Sequence, residues 1–347
     1  MRRRHFETLK PVCPACRQAG QDHALALEHG FLASGEDISA GILRCSDPGC
    51  WKAYPIIAGT PILVPDVATW LAANLHLVLQ RGVETGPLEE LVGTAVGPDA
   101  AFNLVRQQQS TYGHDHYGDL FADEAEGADG TTGSVRTALD TALERLPPRA
   151  GATLDMGCAA GRTSFDLAAA TGRLVLGIDL NWQLMSLGRG LIDEGRITYP
   201  LRRSGNTFER RSCAVKLPGA ELVDFWIADA LALPFADGSF GHATAFNVLD
   251  CVAEPARLVR ETHRVLETGA GFALSTPFDW ASHATSPAHW IEGPEALSRL
   301  LSQVFIEPGT AEPGHAALQH GELPWTVRLH DNASVQYRAT FYVVSKL

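Results

Sequence analysis

The run Leu154-Asp155-Met156-Gly157-Cys158-Ala159-Ala160-Gly161 constrains this chain more than any other stretch. Its spacing predicts an apolar strand ending at Asp155, a glycine turn, and a helix opening at Arg162-Thr163-Ser164-Phe165. Gly157 and Gly161 let backbone N–H groups approach a ligand closely, because no Cβ intervenes. The helix N-terminus behind them favours negative charge, here a carboxylate. Such a loop suits an adenosyl cofactor with an amino-acid tail as well as it suits a dinucleotide.

Downstream spacing separates the two. A second strand runs from Arg173 to Asp179 and ends in an acid able to accept both ribose hydroxyls. A third, Phe225-Trp226-Ile227-Ala228, ends at Asp229-Ala230, and a fourth runs to Asn247. A helix from Glu254 to Leu266 leads into a fifth strand, Phe272 to Pro277. These elements, over about residues 134–347, resemble class I S-adenosylmethionine-dependent methyltransferases. The resemblance implies a doubly wound, Rossmann-like α/β sheet. It implies a cofactor site of Asp155, Gly157, Cys158, Gly161, Asp179, Leu180, Asp229, Ala230 and Asn247. Two positions depart from the family pattern: Ala159 replaces a common middle glycine, and Gly241-His242 replaces an acidic entry to the fourth strand. The other reading of these elements is a doubly wound domain that binds another nucleotide or none.

Cys13-Pro14-Ala15-Cys16 and Cys45-Ser46-Asp47-Pro48-Gly49-Cys50 form two knuckles able to present four thiolates to one tetrahedral centre. With the strand–turn–strand pattern Ala53 to Pro65, residues 9–65 look like the zinc ribbons found alone or fused to methyltransferases. The alternative is two disulfides, or four separate buried thiols. Cys251 reads as core, and Cys158 as part of the cofactor loop.

Asp66 is placed to cap a helix from Val67 to Leu79 with an apolar face wide enough to be buried. Residues 82–100, rich in glycine and proline, read as a loose connection. Thr111 to Phe121 is aromatic and histidine-rich, and stands where methyltransferases often place a lid. Tyr112, His114, His116 and Tyr117 are its candidate cofactor or substrate contacts. His114-Asp115-His116 has no third ligand to suggest a metal. Residues 122–133 read as a mobile loop, and Ser134 to Leu146 as a helix. The division expected is therefore ribbon 1–65, helical linker and lid 66–133, and core 134–347.

An insert at 195–222 carries Arg202, Arg203, Arg210 and Arg211. It is either a solvated basic loop or an arm that recognises an anionic group. The insert, the run Asp155 to Gly161, Ala245 to Leu249, Ser275 to Trp280, Trp290 to Gly293 and the tail 323–344 together look like one subfamily. They are similar to the methyltransferase module of ovothiol biosynthesis, which methylates an imidazole nitrogen. The iron-dependent part of that enzyme has no counterpart here, so the acceptor need not be the same.

The acceptor pocket is expected between Tyr112–Tyr117, Asn247 and Phe278-Asp279-Trp280, with aromatic walls around a planar molecule. A hydroxyl acceptor would want a base, for which His114, His116, His283 and His289 are available. The leading function is a small-molecule N- or S-methyltransferase of secondary metabolism. An RNA base methyltransferase and a non-catalytic binding module are the alternatives. A net charge of −12 without a long basic run argues against nucleic acid. The basic start Met1-Arg2-Arg3-Arg4 lacks a following apolar region, so neither signal peptide nor membrane span is expected. Seven cysteines in a chain of 347 residues suggest a reducing, cytoplasmic setting. The oligomeric state is not legible.

Overall fold

The computed structural model describes residues 1–79, 86–121, 132–306 and 318–347. Its helices are α1 (Arg3–Leu9), α2 (Pro14–Gln18), α3 (Val67–Val78), α4 (Gly86–Val96), α5 (Ala101–Tyr117), α6 (Ser134–Leu143), α7 (Arg162–Thr171), α8 (Trp182–Glu194), α9 (Pro255–Val265) and α10 (Gly293–Phe305). The ribbon region holds β1 (Leu25–Ser34), β2 (Asp37–Cys45), β3 (Ala53–Ile57) and β4 (Thr60–Leu63). The central sheet adds β5 (Thr153–Met156), β6 (Val175–Asp179), β9 (Val223–Ala228), β10 (Phe240–Phe246) and β11 (Leu266–Thr276). The insert forms β7 (Arg196–Ser204) and β8 (Thr207–Ala214), and the tail forms β12 (Leu318–His330) and β13 (Ala333–Ser345).

Eleven strands make one sheet in the order β1-β2-β3-β4-β9-β6-β5-β10-β11-β13-β12. The central strands β9, β6, β5, β10 and β11 are mutually parallel. Their residues are almost all buried, as expected of strands covered by helices on both faces. The chain winds from β5 outward to β6 and β9, then returns to the other side through β10. The strand order therefore reverses between β5 and β10, the place where doubly wound sheets bind ligands.

The segment expected to form a ribbon is continuous with this sheet. Strand β4 pairs in parallel with β9, Ile62 opposite Ile227 and Leu63 opposite Ala228. All four residues of β4 are buried, so it behaves as a central strand. Leu43, Tyr54, Ile56 and Leu63 of the ribbon share one core cluster with Trp226 and Phe235. Arg189 reinforces the seam by donating to the Gly59 carbonyl at 3.1 Å and to buried Asp224 at 3.0 Å.

Several expectations change outside the sheet. Asp66 does cap α3, accepting from the Thr69 N–H at 3.0 Å. No residue of α3 is fully buried: Val67, Trp70 and Leu71 are half-buried against the core, while Asn74 and Leu77 form one wall of an open cavity. Residues 86–96 are helical, not a loose connection; the Asn103 side chain donates to the Gly93 and Gly97 carbonyls at its end. Of the loop expected over 122–133, residues 122–131 lie outside the described residues.

If β4 is a true member of the sheet, ribbon and core should unfold in one transition. Ile62→Ala, at a fully buried seam position, should cost about 2–4 kcal/mol. Urea unfolding followed by circular dichroism and by tryptophan fluorescence checks this; two separate transitions would show that the seam does not couple the parts.

Candidate active site

A cavity of about 960 Å³ opens at the carboxyl ends of β5, β6, β9 and β10. Its floor is the glycine loop. Asp155 closes β5 and is 2% exposed. It accepts hydrogen bonds from the Thr163 hydroxyl at 2.6 Å, Ser164 at 2.7 Å and Thr244 at 2.9 Å. Burial raises its pKa, and these three hydroxyls act in the opposite sense. Asp155 thus anchors the first turn of α7 as well as bordering the cavity.

Gly157 has φ +64°, and a Cβ there would stand 2.3 Å from Val248. Gly161 has φ +90°, and a Cβ there would meet the Phe225 ring at 2.5 Å. Only glycine fits either position without displacement. Ala159, the departure from the family pattern, is itself held at φ 46°. It keeps the left-handed backbone that a glycine would adopt, at some cost in strain. Its N–H donates to Asp179 Oδ2 at 2.9 Å. Asp179 Oδ1 accepts from the Asn181 N–H at 2.8 Å. Burial raises the pKa of Asp179 and the backbone donors pull against it. At the third strand Asp229 accepts from the Leu231 N–H at 2.8 Å.

Most of the expected cofactor residues border this cavity: Asp155, Gly157, Cys158, Asp179, Leu180, Asp229, Ala230 and Asn247. Gly161 does not; it shapes the entry to α7 and packs on Phe225. Asn247 also has a positive φ, 54°, and its Oδ1 accepts from Ser275 at 2.8 Å. Cys251, expected in the core, is exposed and borders the cavity.

The lid residues divide. Tyr112 and His116 border the cavity, whereas Tyr117 and His114 do not. Tyr117 is fully buried behind the glycine loop and donates to the Ala160 carbonyl at 2.6 Å. It supports the loop instead of stacking on an acceptor. His116 is held neutral, its pKa lowered to about 3 by burial and by the Arg162 charge. Its Nδ1 accepts the Arg162 N–H at 3.1 Å, so that lone pair is not available to a substrate. Phe278 and Trp280 turn away from the cavity, and Trp280 stacks on Trp290 at 6.1 Å; their neighbours Pro277 and Asp279 line it instead. His283 is at the cavity and His289 is not.

The tail supplies walls that the sequence reading missed. Trp325 and Tyr337 lie directly opposite each other on β12 and β13, and both border the cavity. Tyr337 donates to Asp279 Oδ2 at 2.9 Å. Alternation along the two strands, once their pairing is known, puts these rings on one face. Asp250 is a further unanticipated lining residue.

The insert is a hairpin packed on α5, with its arginines engaged within the protein. Arg203 pairs with Glu209 and Asp331, Arg210 with Glu89, and Arg211 with Glu209. Arg202 donates to Gln107 and the Gly205 carbonyl. None of the four borders the cavity.

The four ribbon cysteines converge, each pair of sulfurs lying within 4.8 Å. Cys13 and Cys50 are 3.8 Å apart, and Cys16 and Cys45 are 3.7 Å apart. None borders the cavity.

Asp115, at the cavity beside the lid, is raised to about 7 by burial, against backbone N–H donors from Ser134, Val135 and Gly133. An acid with a raised folded pKa binds protons more tightly when folded. Its contribution to stability therefore falls as pH rises from about 4 to about 7. Asp115→Asn should gain on the parent by about 1–3 kcal/mol across that range in the ligand-free protein, read as the difference in urea midpoints at each pH. A pH-independent difference would place the carboxylate in a solvated setting.

Residues 154–274 match a protein-family model described as a methyltransferase domain. An uncharacterized 37.1 kDa protein in transposon TN4556 of Streptomyces fradiae is 32% identical over 156 residues, 44% of this chain and 37% of that protein. Methyltransferase GfsG of Streptomyces halstedii is 29% identical over 133 residues, covering 38% of this chain and 40% of that one. O-methyltransferase resE of Aspergillus sclerotiorum is 26% identical over 184 residues, covering 50% and 58%. The chain thus spans between about two-fifths and three-fifths of the length of these relatives. The matched residues 154–274 take in the loop built on Asp155 and the parallel strands β5, β6, β9 and β10, so the similarity to a methyltransferase domain falls on the doubly wound part of the sheet.

Proposed function

We propose that this chain is an S-adenosylmethionine-dependent methyltransferase that methylates nitrogen or sulfur of a small, planar heterocycle in secondary metabolism. Asp179 carries the reading. Each of its oxygens already accepts one backbone N–H, which fixes the carboxylate and leaves a lone pair on each for a ribose hydroxyl. In this reading Asp229 takes the adenine amino group between Leu180 and Ala230. The loop 157–159, shaped by Gly161 and anchored by Asp155, takes the amino-acid tail with Asn247.

Bound there, the cofactor supplies an electrophilic methyl group and a neutral thioether leaving group. The protein's task is to align the acceptor in line with the carbon–sulfur bond and to exclude water. Tyr112, Trp325 and Tyr337 offer ring surfaces for a flat acceptor. A neutral ring nitrogen needs no base, and a thiol is partly thiolate near neutral pH. His116, with Nδ1 engaged, is not placed to serve a hydroxyl.

The ribbon, residues 1–65, suits one structural zinc held by Cys13, Cys16, Cys45 and Cys50. A tetrahedral centre with bonds of about 2.3 Å sets its sulfurs about 3.8 Å apart, close to the separations found. The Asp47 N–H points to Cys45 Sγ at 3.4 Å, and the Tyr54 hydroxyl lies 3.2 Å from Cys13 Sγ; both are donors suited to thiolates. Reduced thiols of this kind fit a cytoplasmic setting. Residues 66–133 act as the lid, and 134–347 as the catalytic core. No helix of the described residues is long and apolar enough to cross a membrane.

Two experiments test the reading. Asp179→Ala should weaken S-adenosylmethionine binding by roughly ten- to hundredfold in calorimetry while far-UV dichroism stays unchanged. Unaltered affinity would remove the ribose from this carboxylate. Elemental analysis should find one zinc per chain, and Cys45→Ser should lose it and lower the melting temperature. Metal-free protein, or a disulfide formed under reducing conditions, would overturn the zinc assignment.

A further inference from the structure

The charge of the cavity is one-sided. Its lining includes Asp115, Asp155, Asp179, Asp229, Asp250 and Asp279, and no lysine or arginine among the described residues. Asp155 and Asp115 are used by the protein's own hydroxyl and N–H donors. Asp179 and Asp229 stand at the ends of β6 and β9, on the cofactor side. Asp250 and Asp279 stand on the acceptor side, after β10 and β11, and have no role in the reading above.

Asp250 is the more informative of the two. It is 2% exposed, and Oδ2 accepts the Asp279 N–H at 3.0 Å. Oδ1 is buried and, among the described residues, meets no hydrogen-bond partner, although the Thr276 hydroxyl is near enough to the carboxyl to act against the rise in its pKa. A carboxylate oxygen left in this state costs free energy unless a ligand supplies a donor. Burial raises Asp250 to about 6, so it is largely ionised near neutral pH. Asp279 next to it is exposed, and it already receives the Tyr337 hydroxyl. Tyr337 faces Trp325 across the strand pair, so ring surface and carboxylates meet at one end of the cavity.

Resting on the methyltransferase reading of this site, we propose that its acceptor is a small aromatic or heterocyclic molecule bearing a cationic amino group, which donates to Asp250 Oδ1 with Asp279 as the outer carboxylate. Asp250 is then a specificity-determining residue. It anchors the ammonium while the rings hold the planar part, and the methyl group goes to another atom of the acceptor. The same field disfavours acceptors with a free carboxylate or phosphate, since no cation lines the cavity to meet them. The proposal separates this site from one built for nucleic acid, whose backbone would be repelled.

The test uses the full chain loaded with S-adenosylhomocysteine and three probe pairs. These are histamine, tryptamine and 2-(aminomethyl)pyridine, each against its N-acetyl form, with indole-3-acetate as the anionic control. Calorimetry should show at least one amine binding about tenfold or more tighter than its acetylated partner, with no binding of the carboxylate. Asp250→Asn should abolish that preference while S-adenosylhomocysteine affinity stays within about twofold. Should Asp250→Asn fail to fold, Tyr337→Phe and Asp279→Asn carry the same test on the outer carboxylate, where each should reduce the preference severalfold. Equal binding of amine and acetylated forms, tighter binding of the carboxylate, or no binding of any amine to the loaded protein overturns the proposal. Failure to bind S-adenosylhomocysteine overturns the reading beneath it, so the two failures are distinguishable.

Discussion

The carboxylate of Asp155 is the constraint on which the site depends. It sits almost fully buried between β5, the first turn of α7 and β10, and accepts from three hydroxyls. Hydrogen bonds to a buried charge are worth about 1.5–3 kcal/mol each, and losing one leaves a penalty of similar size. Strand, loop and helix are therefore held in one arrangement. From that arrangement follow the left-handed turns at Gly157, Ala159 and Gly161, and through them the Ala159 N–H that holds Asp179. Helix α5 braces the loop from behind. Tyr117 donates to the Ala160 carbonyl, and the Arg162 guanidinium donates to the His116 carbonyl and pairs with Asp119. The aromatic segment is thus largely a buttress, and of its rings only Tyr112 and His116 reach the cavity wall, beside Thr111 and Asp115.

The second organising feature is the merging of the ribbon with the sheet. An edge strand such as β9 would otherwise expose unpaired backbone groups. Strand β4 covers that edge, and β3, β2 and β1 continue the sheet outward. The seam is secured by charge as well as by pairing. Asp224 has no exposed side-chain surface and accepts from Arg189, the Trp226 indole and the Arg2 N–H. A buried ion pair of this kind is costly to break once formed, because the remaining charge is left uncompensated. His5 adds a link, with Nε2 2.9 Å from the Leu222 carbonyl and 3.2 Å from that of Val175. The cysteine cluster lies beyond this seam, away from the cavity.

The cavity lining is acidic, with no lysine or arginine among the described residues. An acidic, partly buried lining favours a sulfonium and disfavours anionic competitors. The basic insert does not alter this balance, because Arg202, Arg203, Arg210 and Arg211 lie outside the cavity lining, and the last three are paired with Glu89, Glu209 and Asp331. What the hairpin contributes is mass packed on α5, which helps to fix that helix.

The order of elements from Leu154 to Thr276 was legible in the sequence because each signal there is local. Parallel strands covered on both faces read as unbroken apolar runs, acids mark their ends, and glycines mark turns that no other residue can make. The cysteine knuckles were legible for the same reason, two thiols at fixed spacing in a tight turn. Residues whose role depends on distant pairing were not legible. Ile62 looks like half of a hairpin until β9 is placed beside it. Tyr117 and Phe278 look like pocket aromatics until the helix and loop carrying them are oriented. Trp325, Tyr337 and Asp250 carry no motif, and meet only because β12–β13 and the loop after β10 close over the same end of the sheet. Sequence alone determined the doubly wound core and most of the residues at the strand ends that line its cavity, since periodicity and turn chemistry act between near neighbours. Tertiary structure decided which side chains face the cavity, because a side chain's direction is set by long-range packing that no short segment encodes.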